Sequence, residues 1–256
     1  MDYINLSFPL GDIRALLEIM ARLREGCPWD KEQNFKSLIP FSIEEIYELI
    51  EAVENNDIGN IKEELGDILF HIVFYSEIAK EDKLFSFADV VEGITRKMYF
   101  RHPHVFGDKK VETAAEQTLE WEKIKEKERS NLSLMDGIIK SLPALLRALK
   151  LQKRAAQIGF DWENPTQVLN KLEEEIAELK EEISSDNKDK IKDELGDVLF
   201  TCVNLARKLK IDPEIALRHA NDKFEKRFRA MENIVDVKVS SLKEMDEAWN
   251  NVKKQK

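Results

Sequence analysis

EEIYELIEAVENNDIGNIKEELGDILFHIV, residues 44–73, returns as EEIAELKEEISSDNKDKIKDELGDVLFTCV at residues 174–203, displaced by 130 positions without a gap. Fifteen of the thirty positions are identical. They include every residue of Glu-Glu-x-x-Glu (Glu44, Glu45, Glu48; Glu174, Glu175, Glu178) and of Glu-Leu-Gly-Asp (Glu64 to Asp67; Glu194 to Asp197). The stretch between them diverges, NNDIGN against SDNKDK. A chain that drifts in a loop but writes five acids twice marks those acids as a site.

The rest of the composition fits a helical frame for that repeat. Nine glycines and seven prolines in 256 residues, with 35% charged and 43% apolar residues, suit long helices over sheets, and the duplication favours two domains over one. We expect an all-α chain with an N-terminal domain over residues 1–125, a connection over 126–142 and a C-terminal domain over 143–256. No window approaches 18 uncharged apolar residues, so no membrane span is expected. Asp2, Asp12, Arg14 and Glu18 interrupt the first apolar stretch, which argues against a secretory signal. Cys27 and Cys202 stand in unrelated contexts without CxxC spacing, as expected of a reduced, cytoplasmic protein. The net charge of −10 and the lack of a basic block argue against a nucleic-acid polymer as partner.

Apolar periodicity places the helices. The first should cover Ile13–Arg24 and stop near Gly26-Cys27-Pro28, with Trp29-Asp30 leading into a loop. Ser42 reads as an N-cap with Glu45 as its capping-box partner, opening a helix that runs to about Glu54. Ile61–Lys80 should follow, then a helix from near Ser86 to His102-Pro103, and another over Thr118–Arg129. Ser130-Asn131-Leu132-Ser133 begins the connection. The second half repeats the plan: Ala144–Ile158, a break at Gly159-Phe160-Asp161-Trp162, the acidic hairpin, and a helix opened by Pro213.

On the first acidic helix, Ile46, Leu49, Ile50 and Val53 form the apolar stripe, with Glu44, Glu45 and Glu48 opposite, within an arc of about 100°. A solvated surface would look the same. The partner helix decides, because Phe70, Val73 and Phe74 lie off the stripe of Leu65, Ile68, Leu69 and Ile72, as if the helix were buried on most sides. Glu64 and Asp67 would then face protein, which costs several kcal/mol per bare carboxylate. No lysine or arginine sits at equivalent, suitably directed positions in both copies; Lys62 and Lys192 match but point about 160° away. A hard divalent cation is the natural partner for an all-oxygen donor set. His71 becomes Thr201 in the second copy, so we read it as a satisfied core residue. Gly66 and Gly196, inside helices, mark a close approach of a helix or ligand.

Positive charge recurs elsewhere. Lys97 and Arg101 match Lys223 and Arg227, each pair at i, i+4 on one helix face, fit to clamp a polyphosphate. Trp121 and Trp249 recur near the domain ends, more in keeping with core packing than with covering a base. No P-loop, dinucleotide-binding or zinc-protease motif occurs.

With ExxD following EExxE, together with Cys27-Pro28-Trp29-Asp30, Arg101-His102-Pro103-His104-Val105-Phe106, Leu142-Pro143-Ala144-Leu145, Gly159-Phe160-Asp161-Trp162 and Lys223-Phe224-Glu225-Lys226-Arg227-Phe228, the whole chain resembles the tandem-domain form of the MazG nucleoside triphosphate pyrophosphohydrolases. The resemblance implies two tandem helical domains whose hairpins pair as four-helix bundles on homodimerisation. It also implies Mg²⁺-dependent hydrolysis of (d)NTPs to monophosphate and pyrophosphate with broad base tolerance, in clearing non-standard nucleotides or lowering nucleotide pools. It assigns Glu175, Glu178, Glu194 and Asp197 to Mg²⁺, with Glu45, Glu48, Glu64 and Asp67 in the matching places. Lys171, Glu174, Glu175, Lys190, Ile191, Lys192, Asp193, Asp197, Lys223, Arg227 and Trp249 would line the nucleotide site, with Lys97, Arg101 and Trp121 their first-copy counterparts. Glu174, or Glu44 in its copy, is the candidate to deprotonate water, beside Glu175 and Glu45. Two readings stay open beside this one: a narrower pyrophosphatase of the phosphoribosyl-ATP or dCTP/dUTP type, and a non-catalytic helical module for dimerisation or nucleotide sensing.

Overall fold

In a computed structural model of the chain, residues 6–108, 110–113, 116, 117, 120, 121, 124 and 133–254 are described. The expected helix over Thr118–Arg129 and the start of the connection at Ser130-Asn131-Leu132 lie largely outside them. The described residues are helical with no strand, in two compact units, Met1–Glu128 and Arg129–Lys256. No described helix is long and apolar enough to cross a membrane.

In the first unit α1 (Ile13–Gly26) starts where Asp12 accepts a hydrogen bond from the Arg14 N–H at 2.9 Å, and Cys27 turns extended just before Pro28. Pro28 opens α2 (Pro28–Glu32), so Trp29-Asp30 lie on a short helix and not in the loop expected. The missed signal is proline at a first helical position, where its absent N–H costs nothing. α3 (Ile39–Glu54) and α4 (Ile58–Glu81) form the acidic hairpin, turned by Asn56 in the left-handed region (φ 55°) and capped by Asp57, which accepts from the Gly59 and Asn60 N–H groups at 3.1 Å. α5 (Phe87–Arg101) carries the Ser86/Asp89 capping box, and α6 (Pro103–Phe106) follows.

Ser42 is not the N-cap. α3 begins three residues earlier, with Pro40 in its first turn, and the Ser42 hydroxyl donates to the Leu38 carbonyl at 3.0 Å. An i−4 carbonyl within reach satisfies a mid-helix serine as well as a cap would.

Met20 from α1, Leu38, and Val73, Phe74 and Ile78 from α4 make the core, with Leu16, Leu17, Phe35, Phe70, Tyr75 and Phe87 packed on it. Each large side chain so buried contributes about 1.5–3 kcal/mol. Arg24 fastens the far end: its guanidinium meets Glu81 at 2.5 and 2.9 Å, the Asp30 and Gln33 carbonyls, and the Phe74 ring at 5.7 Å. Thus α1 and α2 grip the C-terminal half of α4.

The other half of α4 packs on α3 but leaves one apolar face open, which corrects the expectation of a helix buried nearly all round. Leu65, Leu69 and Ile72 are 53%, 38% and 40% exposed, and the matching Leu195 and Leu199 in the second unit are 48% and 51%. The apolar residues off the stripe are the core, and the stripe itself is left open. Nor do Gly66 and Gly196 mark a close approach within a unit, because a Cβ at either would meet nothing within 4 Å.

The second unit repeats the hairpin. α7 (Ala144–Gln157) precedes α8 (Pro165–Ser185) and α9 (Lys188–Lys208), with Asp186 (φ 54°) turning where Asn56 turns in the first unit. Asparagine and aspartate tolerate this conformation better than most side chains. α10 (Pro213–Glu232) is capped by Asp212, as Pro213 led us to expect, and α11 (Leu242–Lys254) ends the described chain. Its buried apolar residues are fewer and smaller: Leu149, Val168, Val203, Met231 and Ala248. Gln152 in α7 donates to the Phe200 carbonyl at 2.8 Å.

Asp161, in the break before α8, ion-pairs with Arg207 and with Lys208 at 2.8 Å on α9. These partners, Arg207 foremost, hold its carboxyl down to about 2, against 3.8 for a free aspartate. The pair's contribution is complete above about pH 4 and is lost as pH falls toward 2. Asp161 is exposed and water screens the pair, so Asp161→Asn should cost about 1 kcal/mol in urea unfolding at pH 7. The gap from wild type should narrow by pH 3.

Candidate functional site

Helix pairing brings three acids together in each hairpin. Glu45 on α3 meets Glu64 and Asp67 on α4, and Glu175 on α8 meets Glu194 and Asp197 on α9. In both groups one carboxylate oxygen from each residue lies within 4.8 Å of the other two. The i, i+3 spacing sets two acids side by side on one helix, and the antiparallel partner supplies the third. Glu48 and Glu178, expected as a fourth ligand, are exposed and lie outside these groups.

Gathering these acids perturbs their carboxyls. Partial burial, then repulsion from Asp67 and Glu48, raises the Glu45 carboxyl above its ordinary value. Desolvation and the neighbouring acids raise Glu64 and Glu194 too. Three convergent oxygens and no thiol fit a hard divalent cation.

The two copies differ in what stands behind the acids. In the first, the Ser42 hydroxyl lies 3.1 Å from both His71 Nδ1 and Tyr75 OH. The same hydroxyl reaches the Leu38 carbonyl, so it is shared among three partners. His71 Nε2 lies 3.8 Å from a Glu45 oxygen. Burial pushes the His71 imidazole below its usual value, keeping it neutral at pH 7. His71 is thus the satisfied interior histidine expected.

In the second copy Leu172, Thr201 and Leu205 replace that trio, and Lys171 stands where the first has Phe41. Lys171 Nζ lies 2.6 Å from Glu174 and 2.8 Å from Glu175, the latter only 6% exposed. Those contacts raise the lysine above its usual value. The i, i+3 and i, i+4 spacing was visible in the sequence; a comparison demanding a basic residue in both copies hides it.

Other expected residues are placed as follows. Glu44 and Glu174 are exposed. Lys190 pairs with Glu182 at 3.0 Å, while Lys192 and Asp193 are exposed beside a half-buried Ile191. Lys97 and Lys223 are exposed and Arg101 and Arg227 half-buried, on α5 and α10, which pack against α4 and α9. Trp121 donates from Nε1 to the Arg101 carbonyl at 2.9 Å and meets His102 edge-on, and Trp249 lies 5.3 Å from Phe224. Both indoles pack against the helix that carries the basic pair.

A duplicated acidic hairpin in a tandem chain whose described residues hold no strand defines a narrow class of all-α proteins. This chain belongs to the MazG nucleotide pyrophosphohydrolase domain family, whose domain matches residues 33–106 and 163–231, one segment over each hairpin. It is 45% identical to a nucleoside triphosphate pyrophosphohydrolase of Escherichia coli K12, over 96% of this chain and 98% of that one. It is 42% identical to the nucleoside triphosphate pyrophosphohydrolase/pyrophosphatase MazG of Thermotoga maritima, over 93% and 94%. A crystal structure of a mazG-related protein from Thermotoga maritima aligns at 29% identity, covering 44% of this chain and 98% of that one, with a TM-score of 0.40.

Ser42→Ala should leave His71 Nδ1 without its hydrogen-bond partner. Thermal unfolding should register a loss of about 1–2 kcal/mol.

Proposed function

We propose that the protein is a Mg²⁺-dependent nucleoside triphosphate pyrophosphohydrolase, converting (d)NTPs to monophosphates and pyrophosphate with little preference for base. The observation that carries this reading is the pair of three-carboxylate groups, one in each MazG domain, on matching hairpins. The full-length relatives named for that activity support the reaction type. Its role would be removal of non-standard nucleotides or lowering of nucleotide pools. Two free cysteines, one in each unit, fit a reducing cytoplasm.

In this reading Glu175, Glu194 and Asp197 hold the cation, with Glu178 completing the set on approach, and Glu45, Glu64, Asp67 and Glu48 do so in the first copy. A bound divalent cation offsets phosphate charge and polarises the phosphoryl group under attack. Lys223 and Arg227, or Lys97 and Arg101, neutralise the remaining phosphate oxygens. Lys171 and the segment from Lys190 to Asp193 orient the nucleotide, with Trp249 or Trp121 holding the basic helix. Glu174, or Glu44, positions a water and takes its proton as the oxygen bonds to the α-phosphorus. The bond to the α–β bridging oxygen breaks, and pyrophosphate leaves with that oxygen and its electron pair.

The open stripe of α4 and α9 supports a homodimer in which a second copy covers it. The same leucines are exposed in both units, on a face where a Cβ at Gly66 or Gly196 meets only open space. Light scattering should give twice the chain mass. Leu69→Glu with Leu199→Glu should return it to one chain with helicity retained.

With dGTP or ITP and Mg²⁺, product separation should give monophosphate and pyrophosphate; diphosphate with orthophosphate contradicts the proposal. Glu45→Ala with Glu175→Ala should lower turnover by at least about 100-fold, the upper cost of losing even an outer partner of a metal ligand. The two single variants then identify the working domain.

A further inference from the structure

The two acidic groups are repeats in sequence but not in charge. In the C-terminal unit Lys171 Nζ sits 2.8 Å from Glu175 and 2.6 Å from Glu174, so a built-in ammonium already lies on the acid that α8 contributes to the group. Glu175 is nearly buried while Lys171 stays 30% exposed, so water screens the pair from one side only. In the N-terminal unit the equivalent position is Phe41, which reaches no carboxylate and makes an edge contact with Trp29, ring centres 5.7 Å apart. Among the described residues no lysine or arginine forms an ion pair with Glu45, Glu64 or Asp67. The nearest basic group there is the His71 ring, 3.8 Å from Glu45.

We propose that Lys171 acts as a tethered counter-ion that competes with divalent metal at Glu175, so that only the N-terminal carboxylates bind free metal readily. This rests on the metal-centre reading above and deepens it. A cation entering the C-terminal group must displace an ammonium that is already hydrogen-bonded to Glu175. A cation entering the N-terminal group displaces nothing and relieves repulsion among three acids. The C-terminal site therefore fills when the metal arrives with a triphosphate, whose oxygens add ligands that a bare ion lacks. The N-terminal site fills with the ion alone. Lys171 is accordingly a positioning residue toward the metal, since its contacts are with the ligands.

The test is Mn²⁺ binding to the full-length, chelator-stripped protein without nucleotide, read from the electron paramagnetic resonance signal of free Mn²⁺. Wild type should show one tighter class of about one ion per chain, lost in Glu45→Ala and kept in Glu175→Ala. Lys171→Met keeps most of the side-chain stem and removes the charge. It should strengthen the C-terminal class on the order of tenfold, the scale of one charge-assisted hydrogen bond. Phe41→Lys places an ammonium at i, i+4 from Glu45 and should weaken the N-terminal class by a similar factor. Two equal classes in wild type, with the C-terminal one unmoved by Lys171→Met, would overturn the inference and leave the metal centres standing. Mn²⁺ binding indifferent to both Glu45→Ala and Glu175→Ala would remove the metal centres themselves, and this inference with them. Far-UV circular dichroism on each variant establishes that the losses are local.

Discussion

Helix pairing forces like charges together, and the rest of the structure answers to that constraint. Two ionised carboxylates about 5 Å apart repel by roughly 3 kcal/mol at an effective dielectric of about 20. Each hairpin gathers three. Neither helix can rotate to separate them, because the opposite face of α4 is fixed by Val73, Phe74 and Ile78, and that of α9 by Val203. The core thus holds the acids in a geometry they would not choose, and burial first, then mutual repulsion, raises the Glu45, Glu64 and Glu194 carboxyls. Preorganised repulsion of this kind is what makes a cation site selective for charge and ready before its ligand arrives.

The fold leaves each hairpin half covered. Arg24 and the α1 core bind the far half of α4, while the half bearing the acids exposes a leucine stripe. Apolar surface repeated at the same positions in two domains is not incidental roughness. That surface lies on the helix that also carries Glu64 and Asp67.

Much of this was legible in the sequence because helices impose strict spacing. The acidic hairpins, the all-α class, the helix start near Ser86 and the Pro213 start follow from local chemistry. So did the grouping of Glu45, Glu64 and Asp67 and its copy, since i, i+3 geometry and a short turn leave little freedom. What escaped depends on tertiary context. Ser42 looks like a cap until the Leu38 carbonyl, His71 and Tyr75 are seen around it. The apolar breadth of α4 was real, but its two faces divide between core and open surface. Periodicity alone cannot draw that division.

Lys171 shows where two identical motifs part company: one substitution, lysine for phenylalanine, gives one acidic group a cation of its own. The account's central claim remains simpler than that difference, namely that the grouped carboxylates exist to hold a divalent ion. Anomalous scattering from crystals grown with Mn²⁺ and a non-hydrolysable nucleoside triphosphate tests it most directly. The account predicts a metal peak at about 2.1 Å, the distance an Mg²⁺-sized ion demands, from oxygens of Glu175, Glu194 and Asp197, or of Glu45, Glu64 and Asp67. A metal held by phosphate oxygens and water alone, with both carboxylate groups turned away from it, would contradict it.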